Sequence, residues 1–136
     1  MIKGIINKIQ IFFFIALISI SIFGCKKQKG EFAFKSYLDE TYKKMSGIPE
    51  FNIREKINWV YIFNQVNDIH NINVVLLMKE AIWVDVNTRT EKITPMNKII
   101  YGEIKNLEQG KYRILLSEGG RVIDKKEFII YNTDEE

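Results

Sequence analysis

Hydrophobic residues follow three patterns along this chain. From Ile11 to Phe23 they are almost continuous, interrupted only by Ser19 and Ser21. Over residues 31–46, Phe34, Leu38, Thr41, Tyr42 and Met45 recur at intervals that share one face of a helix. Beyond Pro49 the period falls to two. Ile57, Trp59, Tyr61 and Phe63 alternate with Asn58, Val60, Ile62 and Asn64, the side-chain alternation of a sheet strand.

The middle pattern predicts a short amphipathic helix or a partly ordered tether over 31–46. Gly47 would end it in a left-handed cap, with Pro49 just beyond. The third pattern predicts strands over 54–66, 73–79, 81–86, 98–104, 111–117 and 122–131. The runs 73–79 and 81–86, parted only by Glu80, form either one bulged strand or a tight hairpin. Segments 67–71 and 87–90 read as loop and turn, and Pro95 keeps 93–96 out of the middle of a sheet. Gly119 and Gly120 supply the positive backbone angles of a tight hairpin. About six or seven short strands, without helix–strand repetition, predict an all-β fold: a single β-sandwich over 51–132. A tether over 25–50 precedes it and an acidic tail over 133–136 follows. Trp59, Tyr61 and Phe63 are core candidates, whereas Trp83 and Tyr101 are candidates for exposed contact anchors.

The first pattern has another meaning. Lys3 and Lys8 precede the apolar run with no acid among them. The run is shorter than the roughly 20 residues a membrane-crossing helix needs and has the length of an export-signal core. It closes on Gly24 and Cys25, the only cysteine of the chain. Ile22-Phe23-Gly24-Cys25 resembles the lipobox of bacterial lipoproteins, in the looser form of spirochaetal ones. That resemblance implies cleavage after residue 24, acylation (palmitate among the chains) at Cys25, and a soluble body tethered to the cell envelope, with the outer membrane favoured over the inner. The other reading of 1–25 is an uncleaved anchor helix.

The full chain carries a net charge of +3. Two of its lysines leave with the signal, so the remainder is close to neutral. This argues against a nucleic-acid partner, which calls for a clustered basic face. Lys26, Lys27 and Lys29 follow the lipid site, as a solvated tether start or as a contact for anionic headgroups.

Candidate chemistry is sparse. His70 is the only histidine, two residues after Asp68, too few ligands for a zinc site. Ser36, Ser46 and Ser117 lack nucleophile-elbow glycines. Gly119-Gly120 precedes no Lys-Ser/Thr pair, so it is no phosphate loop. Neither enzyme activity, a metal nor a cofactor is expected.

Leu107-Glu108-Gln109-Gly110-Lys111-Tyr112 resembles the turn before the penultimate strand of fibronectin type III and other immunoglobulin-like domains. The resemblance implies that Leu107 packs under the sandwich, Gly110 makes the turn and Tyr112 folds back onto the backbone. The reading as a whole is a membrane-anchored lipoprotein that binds a protein partner. Its candidate surface is Asp68, His70, Trp83, Arg89 and Tyr101, on loops 67–71 and 87–92 and the edge strand beside Pro95. The alternative is a structural or accessory lipoprotein of an envelope complex.

Overall fold

The computed structural model describes residues 29–134. The lipobox residues Ile22, Phe23 and Gly24, and Cys25 itself, lie outside the described residues. Eight strands follow in order: β1 (Gly30–Ser36), β2 (Glu50–Asn52), β3 (Ile57–Phe63), β4 (His70–Lys79), β5 (Trp83–Ile93), β6 (Ile99–Ile104), β7 (Gly110–Glu118) and β8 (Arg121–Tyr131). They form two sheets, β1-β3-β6 and β2-β8-β7-β4-β5. All pairings are antiparallel except β2 with β8.

The alternation of β3 dictates the core. Ile57, Trp59, Tyr61 and Phe63 are all buried. They meet Ile72 and Val74 of β4, Tyr112, Ile114 and Leu116 of β7, and Phe128 and Ile130 of β8. Tyr61 packs edge-on against Phe32 and Phe63, with ring centroids 4.7 and 4.8 Å away. Its buried hydroxyl donates to Asp124 Oδ2 at 3.0 Å, which avoids the cost of an unsatisfied polar group inside. Burial, reinforced by the Asp124 charge, holds the Tyr61 phenol far above its ordinary range.

The segment 31–46 is not a helix. Gly30–Ser36 is a strand, because Phe32 and Phe34 both point into the core. Leu38, which completes the helical stripe in the sequence, is 86% exposed. The rest of the segment is a loop held by backbone groups. Phe34 and Lys43 exchange hydrogen bonds of 2.8 and 2.9 Å, and Lys126 Nζ donates to the carbonyls of Met45 and Gly47. The sandwich therefore begins at Gly30, upstream of the boundary expected at residue 51.

Residues 87–92 are not a turn either. They belong to β5, an edge strand whose side chains are largely solvated, so polar residues occupy it without a burial penalty. The runs 73–79 and 81–86 resolve as a hairpin, and Pro95 and Met96 form the turn from β5 to β6, closed by mutual hydrogen bonds of Thr94 and Asn97. At the β7–β8 turn, Gly119 and Gly120 have φ of 55° and 77°, the angles of a type I′ hairpin.

The registers define two poles. The entry pole carries Lys29, loop 64–69, turn 94–98 and the glycine hairpin. The far pole carries loop 37–49, the β4–β5 hairpin tip and the β6–β7 turn.

Candidate binding groove

The two sheets are unequal, and the larger one overhangs the smaller on the β5 side. This leaves an open groove of about 700 Å³ between β5 and β6. Its floor is Trp59, Val74, Leu76 and Ile114. One wall is Val86, Asn87 and Arg89 of β5. The other is Tyr101, Gly102 and Glu103 of β6, continued by Lys105 and Leu107.

Local sequence explains this shape. The register slips between Leu76 and Leu77, pairing them with Asn87 and Asp85 and leaving Val86 as the bulged residue. A bulge re-aims its side chain, and half-exposed Val86 turns into the groove. Across from it, Gly102 pairs with Trp59, and the indole occupies the space a side chain at 102 would fill. Arg89 stands over the indole, its guanidinium carbon 6.0 Å from the ring centroid.

Among the described residues no strand pairs with the outer edge of β6. The Phe63 amide bonds the Lys98 carbonyl at 3.0 Å, so alternate residues Ile100, Gly102 and Ile104 face β3. The main-chain groups of Tyr101 and Glu103 then face outward. Arg89 donates to the Tyr101 carbonyl and, through Nη1, to Glu91 at 2.6 Å. The Tyr101 ring is 57% exposed. Glu103 sits between Lys105 at 2.9 Å and Lys56 at 3.4 Å. The hydrogen bond and charge of Lys105, then Lys56, hold its carboxyl below the usual carboxylate range.

The penultimate-strand corner borders the groove. Tyr112 is buried, stacks on Phe128 at 5.4 Å, and donates its hydroxyl to the Glu108 carbonyl at 2.7 Å. Burial, then the Glu108 charge, raises this phenol above its ordinary range. Gly110 makes the bend with φ of 156°, and Leu107 is partly buried against the core and faces the groove. No family model matches this chain, and no curated protein is similar to it. Among solved structures, an immunoglobulin-like protein from Pseudomonas aeruginosa superposes with a TM-score of 0.53 at 14% identity, over 75% of this chain and 93% of that one. The fold is immunoglobulin-like.

Within this immunoglobulin-like sandwich the residues singled out by sequence separate into three places. Arg89 and Tyr101 meet at the groove. Trp83 lies on the outer face of the larger sheet, where Arg113 stacks on its ring at 4.0 Å and Lys79 at 5.4 Å. Arg113 is in turn bound to Glu127 at 2.6 Å, which also takes Lys111 at 3.1 Å. Hydrogen bonds from Arg113 lead the forces that lower the Glu127 carboxyl. Trp83 is thus part of a covering layer over Leu77, not a free anchor. Asp68 and His70 lie at the entry pole. His70 opens β4 instead of sitting in a loop, and its Nδ1 is 2.7 Å from Glu118. Among the described residues no group of three His, Cys, Asp or Glu side chains is placed to hold a metal ion.

Trp59, Gly102 and Val86 escaped the sequence reading as site residues. Trp59 reads as core, and it is both core and floor. A signal did exist: Gly102 interrupts an otherwise bulky strand, and glycine inside a strand often marks a close approach.

Proposed function

We propose that this protein is a lipid-anchored module of a bacterial cell envelope that binds another protein, gripping an extended segment in the β5–β6 groove. The observation that carries the reading is the unpaired edge of β6 standing beside an apolar floor. The Tyr101 amide and both main-chain groups of Glu103 face a strand laid along them, as in β-strand addition, while Arg89 holds the Tyr101 carbonyl. Trp59, Val86 and Leu107 receive alternate side chains. Arg89 paired with Glu91, and Glu103 with its lysines, form a polar rim. The anchor follows from the lipobox-like segment ending at Cys25, with the outer membrane as its expected site.

Attachment is tested by metabolic labelling with a radioactive fatty acid. Label should enter the chain and vanish in Cys25→Ser. Proteinase K treatment of intact and lysed cells then assigns the leaflet. Groove binding is tested with a photo-crosslinking amino acid at position 101 and, as a control, at position 83. A discrete adduct from 101 alone, lost when Val86→Glu fills the groove, supports the reading. Equal adducts from both positions, or none, reject it.

A further inference from the structure

We infer that the entry pole is a membrane-docking surface, seating the sandwich directly on the anionic lipid that holds its anchor. This rests on the membrane attachment proposed above. Three observations meet at this pole. The first is apolar exposure at loop tips: Met96, in the β5–β6 turn, is 96% exposed, and Ile69, at the end of the β3–β4 loop, is 61% exposed. Met96 touches no part of the core, so folding alone gives no reason for an apolar residue there.

The second is charge. Lys29, Lys92, Lys98 and Arg121 surround these tips, and none of them forms an ion pair among the described residues. Of the acids close by, Glu91 pairs with Arg89 and Glu31 with Lys44, and Glu118 shares a hydrogen bond with His70. Asp68 is left as the exposed acid. The far pole exposes apolar side chains too, at Tyr37, Leu38 and Ile82, so the poles differ in charge. There Arg54 pairs with Asp134, Lys43 with Asp39, and both Lys56 and Lys105 with Glu103. Free cations beside exposed apolar tips suit a surface of anionic headgroups over hydrocarbon.

The third is reach. Cys25 stands four residues before Lys29. A chain spans at most about 3.3–3.6 Å per residue, so the pole lies within roughly 14 Å of a lipid on Cys25. An apolar anchor ending at Phe23 would hold it almost as close. Attachment thus keeps Lys29 within about two Debye lengths of the surface at physiological salt, with the rest of the entry pole beside it.

The test uses the full chain carrying one added thiol, at Ile69→Cys, Met96→Cys or, at the far pole, Ile82→Cys. Lipidation occupies Cys25, so the added thiol takes an environment-sensitive fluorophore alone. The proteins are reconstituted in vesicles of phosphatidylcholine, with and without phosphatidylglycerol, and attachment is checked by flotation. We expect blue-shifted emission and quenching by brominated lipid at 69 and 96, and neither at 82. The shift should grow with phosphatidylglycerol, and shrink in high salt and in Lys98→Glu/Arg121→Glu. Flotation with water-like emission at all three positions overturns the docking surface and leaves the anchor standing. Failure to float overturns both.

Discussion

The indole of Trp59 lies across the Cα of Gly102, its partner on the neighbouring strand, and takes the place of the missing side chain. One contact thereby completes the core and forms the groove floor. Gly102→Ala would drive a methyl group into the ring, so the indole must shift. The expected cost is about 1–3 kcal/mol, as for other overpacked sites. Urea denaturation should show it, together with a shift in tryptophan emission as the indole is expelled.

Tyr112→Phe removes only the hydroxyl that satisfies the Glu108 carbonyl. A loss of about 1 kcal/mol is expected. The denaturation midpoint should fall with no change in slope, since the ring still stacks on Phe128.

Glu127 binds Arg113 and Lys111 on the outer face of the larger sheet. Its carboxyl is held below the ordinary carboxylate range, so its contribution is complete above the unfolded-state value of about 4.3. That contribution fades as pH falls through the lower folded-state value. Glu127→Gln should cost about 1 kcal/mol near neutrality. Thermal melts across the acid range should show the two proteins converging as pH falls.

Trp83→Ala should cost the arginine stack, about 0.5–1 kcal/mol, and uncover Leu77. Crosslinking from position 101 should be unchanged, because Trp83 faces away from the groove. Loss of that adduct in a folded variant would return Trp83 to the binding surface.

The strands that could be read from sequence are those with one buried face. β3, β7 and β8 alternate visibly because every second side chain enters the core, and the glycine hairpin stands out because two adjacent residues adopt positive φ. β1 was obscured by the apolar residues that follow it. Phe34 belongs to a strand and Leu38 to an exposed loop, yet their spacing is helical. β5 gave no pattern after Val86, since an overhanging edge imposes little on its side chains. β2, three residues paired in parallel with β8, is too short for any periodicity. Of the candidate site, Arg89 and Tyr101 were visible as polar and aromatic surface residues. Their meeting was not, because it depends on how far one sheet extends past the other.

β1 begins at the pole where the chain enters and runs antiparallel to β3 along the long axis of the sandwich. Suppose the chain upstream of Lys29 is pulled while something held in the groove resists. The force then travels along the strands, and the hydrogen bonds joining β1 to β3 are loaded together in shear. Peeling would break them singly. Under the proposed anchoring and groove binding, fastening the domain by its first strand in this direction would let it bear tension between the two.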